Sequence, residues 1–155
     1  MPEVILMVGL PCSGKSTYIN KYYKDGYVII SSDDLIQEKA DELGKTYDDV
    51  FSDYIGDASK YVNILLDKAI KDRKNIIIDK TNMSKKARNR VLSRIPSGYI
   101  KTAIVFNVDT EALLNRITTR NKTGKTIPMK VLFDMERNYE EPTISEGFDK
   151  ILKGE

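Results

Sequence analysis

Apolar residues along this chain bunch into four short runs, Val4-Ile5-Leu6-Met7-Val8, Tyr27-Val28-Ile29-Ile30, Ile76-Ile77-Ile78 and positions 103–108, and between the runs they recur every three or four positions. Short runs rich in β-branched residues predict strands, and the three-and-four spacing predicts helices. The Ile76-Ile77-Ile78 run has no polar residue at alternate positions, as a strand covered on both faces of a parallel sheet requires. The longest helical stretch, 52–74, places Ile55, Ala58, Tyr61, Val62, Leu65, Leu66 and Ala69 at helical spacing and reads as a core-packing helix. Further helices are expected over 84–95 with Ser84 as N-cap, over 110–120 with Thr110 as N-cap, and over 128–139 with Pro128 in the first turn. The polar stretch 121–127 reads as a mobile loop. Alternating strands and helices predict an α/β three-layer sandwich: a parallel sheet of four to five strands with helices on both faces.

Composition changes this picture by exclusion. At 155 residues and 41% hydrophobic, the chain suits one domain, 1–155, rather than two. A net charge of +2 gives no bulk signature of a nucleic-acid coat, though it permits a local grip on a few phosphates. The single cysteine, Cys12, allows no disulfide framework and no thiolate metal cluster. No apolar run approaches the roughly 18 residues of a membrane helix, so a cytoplasmic protein without membrane attachment is expected. Histidine is absent altogether. Any proton transfer near neutral pH then falls to a carboxylate, a lysine or water, and histidine metal sites and histidine-based triads are excluded.

The candidate chemistry begins directly after the first apolar run. Gly9, Leu10, Pro11, Cys12, Ser13, Gly14, Lys15 and Ser16 fit the phosphate-binding pattern GxxxxGK[ST], followed by Thr17 at the start of a helix. Backbone N–H groups of such a loop surround nucleotide phosphates, Lys15 reaches the β/γ oxygens, and the Ser16 hydroxyl suits Mg²⁺. The expected cofactors are therefore ATP and Mg²⁺. Asp33 closes Ile29-Ile30-Ser31-Ser32-Asp33, beyond the carboxyl end of a strand, where it can take the proton of an attacking hydroxyl; capping of the next helix is its alternative role. Asp34 reads as a helix cap or dipole partner. Asp79 ends the isoleucine run and suits a magnesium-holding carboxylate, with capping of the following turn as the alternative. Arg116 and Arg120 lie four apart on the helix entering the 121–127 loop, as arginines of a closing lid over about 116–130 would; Lys122 and Lys125 read as solvated charge. In 84–95, Lys86, Arg90 and Arg94 form a basic stripe, whereas Arg88 falls within the apolar arc and is expected to reach a carboxylate or an anionic ligand. The stretch Asn121-Lys122-Thr123-Gly124 lacks the aspartate of a guanine-reading segment, which argues against a GTPase switch.

Taken in order, these residues resemble the polynucleotide 5′-hydroxyl kinase family, the P-loop kinase domains of phage and animal polynucleotide kinase/phosphatase enzymes. The matches are the phosphate loop; Gly26-Tyr27-Val28 leading to Ser32-Asp33; Ile78-Asp79-Lys80-Thr81-Asn82 followed by Arg88; Arg116 and Arg120; Ile127-Pro128; and the tail Tyr139-Glu140-Glu141-Pro142-Thr143 with Glu146-Gly147-Phe148. The resemblance implies that Lys15 and Ser16 hold ATP and magnesium, that Asp33 is the base, and that Arg120 and Arg116 act near the transferring phosphate. It also implies that Thr81, Asn82 and Arg88 line or support the acceptor side, with a nucleic-acid 5′ end as substrate and a last strand in 146–152. No protein partner is implied. Departures stand beside it. Ser31-Ser32 occupies the place of a common Asn-Arg pair, Ile36 occupies that of an acceptor-binding arginine, and Cys12 that of a frequent loop glycine. A small hydroxyl compound is therefore the alternative acceptor, and a nucleotide-binding module without turnover is the third reading.

Overall fold

The computed structural model describes every residue except 24, 123–125 and 155. In chain order the elements are β1 (Glu3–Val8), α1 (Lys15–Tyr22), β2 (Tyr27–Ile30), α2 (Ser32–Leu43), α3 (Tyr47–Lys71), β3 (Asn75–Ile78), α4 (Lys85–Leu92), β4 (Ile100–Val105), α5 (Thr110–Asn121), α6 (Met129–Arg137), a 3₁₀ turn (Ile144–Glu146) and β5 (Lys150–Lys153). The five strands pair in parallel in the order β2-β3-β1-β4-β5. β1 is central, and Val4 through Val8 are completely buried. One sheet face packs Val4, Leu6, Ile76 and Ile78 against Val62, Leu66 and Ala69 of α3 and Val91 and Leu92 of α4. The other packs Ile5, Met7, Ile77 and Ile104 against Ile19 of α1 and Phe106. Continuous apolar runs thus form strands because helices cover both faces, which gives the expected three layers.

Local chemistry explains where the elements differ from expectation. Helix α3 begins at Tyr47 rather than near 52 because Thr46 and Asp49 form a reciprocal capping box. Helix α5 is capped by Asp109, whose Oδ1 accepts from the Ala112 N–H at 3.0 Å, rather than by Thr110. Pro128 sits at the N-cap of α6 rather than inside its first turn. β4 starts at Ile100 and stops at Val105, although the Phe106 N–H still donates to the Val8 carbonyl at 2.8 Å. The tail does form the last strand, β5, on the β4 edge. Among the described residues no helix is long and apolar enough to cross a membrane.

The parallel arrangement decides where chemistry can gather. The chain leaves β1 towards one sheet edge and β4 towards the other, so a crevice opens beyond their carboxyl ends. The loops after β1, β2 and β3 are bonded together on that edge: the Gly9 N–H donates to the Thr81 carbonyl at 3.0 Å, and the Asp79 N–H to the Ile30 carbonyl at 2.9 Å.

Candidate active site

The phosphate loop runs from the end of β1 to the N-terminus of α1, and its shape rests on close approaches. A Cβ on Gly9 would lie 2.7 Å from Ser13 Oγ and 3.1 Å from Phe106 Cβ, so only glycine fits. Gly14, the N-cap of α1, has φ 103. Cys12 has φ 65, a left-handed conformation in which an L side chain costs roughly 1–2 kcal/mol. Pro11 and Cys12 are half-buried, while Ser16 and Thr17 are exposed on the first turn of α1. Ser13 Oγ is buried and has no hydrogen-bond partner among the described residues.

Lys15 is 8% exposed, and its Nζ donates to the carbonyls of Gly9 at 2.7 Å and Leu10 at 2.8 Å. Burial draws its pKa down to about 8, against the opposing pull of Asp79 and with Arg120 adding to the fall. Asp79 is shifted the other way. Desolvation raises its carboxyl above the ordinary value, Lys15 pulls it back, Asp34 and Asp33 push it up, and the nearby Ser16 hydroxyl lowers it. The two residues expected at magnesium therefore lie close enough for Ser16 to act on the Asp79 carboxyl. A serine hydroxyl and one carboxylate are hard oxygen donors, and Mg²⁺ is commonly held by one or two such groups with water and phosphate completing its shell. Among the described residues no cluster of three or more acidic, cysteine or histidine side chains competes for a metal. The donor set fits Mg²⁺.

Asp33 lies in the first turn of α2, but Ser31 caps that helix: its Oγ accepts from the Asp33 N–H at 3.2 Å. The Asp33 side chain instead receives the Tyr47 hydroxyl on Oδ1 at 2.7 Å. Tyr47 was not legible as a site residue. The Thr46-x-x-Asp49 capping box is the signal that would have found it, because it starts α3 at this tyrosine and turns it towards α2. Burial first, and then the bond to Asp33, raise the Tyr47 phenol above its ordinary pKa, so it remains a donor.

From the other side, α5 delivers Arg116 and Arg120, the arginines expected on a lid, to the loop. Arg116 Nη1 donates to the Cys12 carbonyl at 3.1 Å, and Arg120 Nη1 lies 3.3 Å from Cys12 Sγ. Leu113 and Ile117 of α5 and Leu132 of α6 form a small cluster with Leu10, Cys12, Val108 and Ile127. The Thr126 N–H reaches across to Asp48 Oδ2 on α3 at 2.7 Å. Lys125 lies outside the described residues, as do Thr123 and Gly124 of the expected mobile loop.

Two of the four residues expected on the acceptor side are turned inward. Asn82, 4% exposed with φ 48, donates Nδ2 to the Met7 carbonyl at 2.7 Å. Arg88 is completely buried; its Nε donates to Glu146 Oε1 at 2.8 Å, its Nη2 to Oε2 at 3.2 Å and its Nη1 to the Asn82 carbonyl at 2.8 Å. The expected carboxylate partner of Arg88 is thus Glu146, and direct acceptor contact by either residue is replaced by support of the 79–84 loop. Thr81 meets the phosphate loop through its carbonyl.

Comparison with known proteins places this geometry. The profile of a family described as AAA domain matches residues 4–142. Across 99% of its length the chain is 25% identical to heterogeneous nuclear ribonucleoprotein U-like protein 2 of Mus musculus, and it spans 22% of that protein. It is 30% identical to an adenylate kinase of Fervidobacterium nodosum, over 82% of this chain and 66% of the relative. In the solved Pnkp1/Rnl/Hen1 RNA repair complex, a chain superposes with a TM-score of 0.69 at 26% identity, covering 88% of this chain and 43% of its own. The matched profile runs from the first buried strand through α5 and α6 to the tail, and the chain accordingly belongs to the AAA domain family, with the α/β fold of P-loop kinases.

Proposed function

We propose that this chain transfers the γ-phosphate of ATP to a 5′-hydroxyl of a polynucleotide. The observation that carries the reading is Asp33, a carboxylate held by Tyr47 on the sheet edge that also bears Lys15, Ser16 and Asp79. Lys15 charge-pairs with the β/γ oxygens, and the N–H groups of the loop and of the α1 N-terminus add further anion stabilisation. Ser16 and Asp79 would hold Mg²⁺, which when bound neutralises phosphate charge. Asp33 orients the acceptor hydroxyl in line with the γ-phosphorus and accepts its proton as the new O–P bond forms and the bond to the β-phosphate oxygen breaks. Arg116 and Arg120 neutralise charge on the phosphoryl group in flight and exclude water. A structural neighbour within an RNA repair complex and a heterogeneous nuclear ribonucleoprotein U-like relative support a nucleic-acid acceptor.

One observation favours a small hydroxyl compound instead. Ile36 is completely buried among Ala40, Tyr47, Val50 and Ala58, so that turn of α2 offers the cleft no cation. An end-labelling assay decides between them, using a 5′-hydroxyl oligonucleotide and γ-labelled ATP beside a panel of sugars and nucleosides. Label on the oligonucleotide is the expected result, and its absence from every oligonucleotide overturns the reading.

A further inference from the structure

The first two turns of α3 carry an aromatic ring that the catalytic reading does not use. Taking Tyr47 as the reference bearing, Asp48 lies about 100° around the helix axis and Phe51, one turn on, about 40°. The Tyr47 hydroxyl is bonded to Asp33 on α2, and Asp48 Oδ2 accepts from the Thr126 N–H, in the segment leading into α6, at 2.7 Å. Phe51 therefore points between these two contacts, into the space that separates the Asp33 turn from the 126–128 segment. Ala58 and Val62, on bearings of about 20° and 60°, are 0% and 3% exposed, because α2 covers the first and the sheet the second. Phe51 is 41% exposed. It lies on the covered side of the helix, at a turn where the cleft takes the place of a covering element.

The ring is held as well as open. Its centroid lies 5.7 Å from that of Tyr47 with the planes inclined at 41°, and Tyr47, 8% exposed, is itself fixed by its bond to Asp33. A fixed aromatic ring with an exposed face is a platform for a planar heterocycle, which covers apolar area and gains stacking at little entropic cost. Its tie through Tyr47 to Asp33 sets that platform beside the attacked hydroxyl, where a polynucleotide carries a base one sugar away. We propose that Phe51 is the stacking partner of the nucleobase on the nucleotide whose 5′-hydroxyl is attacked. The proposal rests on the kinase reading above and deepens it, since the acceptor is then held by its base as well as by its hydroxyl. Stacking uses the face of a base and not its hydrogen-bonding edge, so the contact accepts any base at the 5′ end. A sugar acceptor without a base forgoes it.

The test pairs a change in the protein with a change in the ligand. Two oligonucleotides with a free 5′-hydroxyl and a 3′ fluorophore differ only at the first nucleotide, which is deoxyadenosine in one and an abasic sugar in the other. Their binding is followed by fluorescence anisotropy in the presence of ADP, for the unaltered protein and for Phe51→Ala, Phe51→Leu and Phe51→Tyr. The unaltered protein should bind the oligonucleotide with the 5′ base about tenfold tighter than the abasic one. That margin should be lost in Phe51→Ala, shrink in Phe51→Leu and persist in Phe51→Tyr, while ADP affinity stays the same in all four proteins. Damage to the fold weakens both oligonucleotides alike and leaves their ratio unmoved, so loss of the margin reports contact between ring and base. Phe51→Leu keeps the test decisive if Phe51→Ala fails to fold. The absence of a margin in the unaltered protein, or the same margin in every variant, overturns the proposal. Transfer of label from ATP is read separately. A margin that depends on Phe51 without transfer sinks the kinase reading and leaves the stacking site, whereas equally efficient transfer to both oligonucleotides sinks the stacking site and leaves the kinase.

Discussion

The hydroxyl of Tyr47 donates to Oδ1 of Asp33 at 2.7 Å, joining the first turn of α3 to the first turn of α2. For Asp33 to take a proton in flight, as proposed, its carboxylate must be held in one orientation, and a phenol that stays protonated is a fixed donor for that.

Tyr47→Phe should therefore lower kcat about tenfold or more while changing the KM for ATP little, since a hydrogen bond to a charged group is worth roughly 1.5–3 kcal/mol. Asp33→Asn should cost about 10²–10⁴ in turnover with ATP binding retained. Steady-state kinetics beside nucleotide titrations check both; near-normal turnover in Asp33→Asn removes that residue from the role of base.

Nucleotide affinity should depend on pH through Lys15. Burial lowers its pKa to about 8, and a bound phosphate restores the charged form. Below pH 8 the ammonium is already protonated and affinity is flat. Above it, binding must take up a proton, and the apparent Kd rises by up to about tenfold per pH unit. Calorimetry in two buffers of different ionisation enthalpy would register this uptake; identical heats at pH 9 would contradict it.

Removing one partner of the Arg88–Glu146 pair leaves a charge in a place that water does not reach. Glu146→Ala should destabilise the fold by about 3–5 kcal/mol, read by denaturant unfolding. Desolvation pushes the Glu146 carboxyl up, but its bonds with Arg88 and with Thr143 outweigh this and hold it below the ordinary 4.5. Because the folded-state pKa is depressed, the stabilisation is complete above pH 4.5 and is lost as pH falls through the folded value. The Tm of the unaltered protein should fall over that range more steeply than that of Glu146→Gln.

Cys12 holds a left-handed backbone at φ 65. Cys12→Val, β-branched at the same position, should lose about 1–3 kcal/mol of stability and weaken nucleotide binding, whereas Cys12→Gly removes the strain. Thermal unfolding of the two variants separates backbone strain from loss of the Arg120 contact, since both variants lack the sulfur.

Strand positions and the phosphate loop were legible because they are local. An apolar run long enough to be a strand, followed by a glycine pattern, needs no knowledge of what covers it. Asp33 and Asp79 were legible as neighbours of the loop for one further reason, that a parallel sheet gathers the carboxyl ends of its strands on one edge. The start of α3 was missed because apolar periodicity weakens before 52, while the hydrogen bonds that begin the helix belong to Thr46 and Asp49. Arg88 shows the same limit differently: its place in an apolar arc required a partner, but not which one, and Glu146 lies 58 positions away.

By itself, then, the sequence determined the α/β alternation, the nucleotide loop and the absence of any histidine chemistry, all of which follow from residue type and short-range spacing. Only the tertiary structure decided the order β2-β3-β1-β4-β5, the hold of Tyr47 on Asp33, the approach of Arg116 and Arg120 to Cys12, and the inward turn of Asn82 and Arg88. Periodicity records which face of an element is buried, but the identity of the group it meets is set by packing between segments that the chain brings together from far apart.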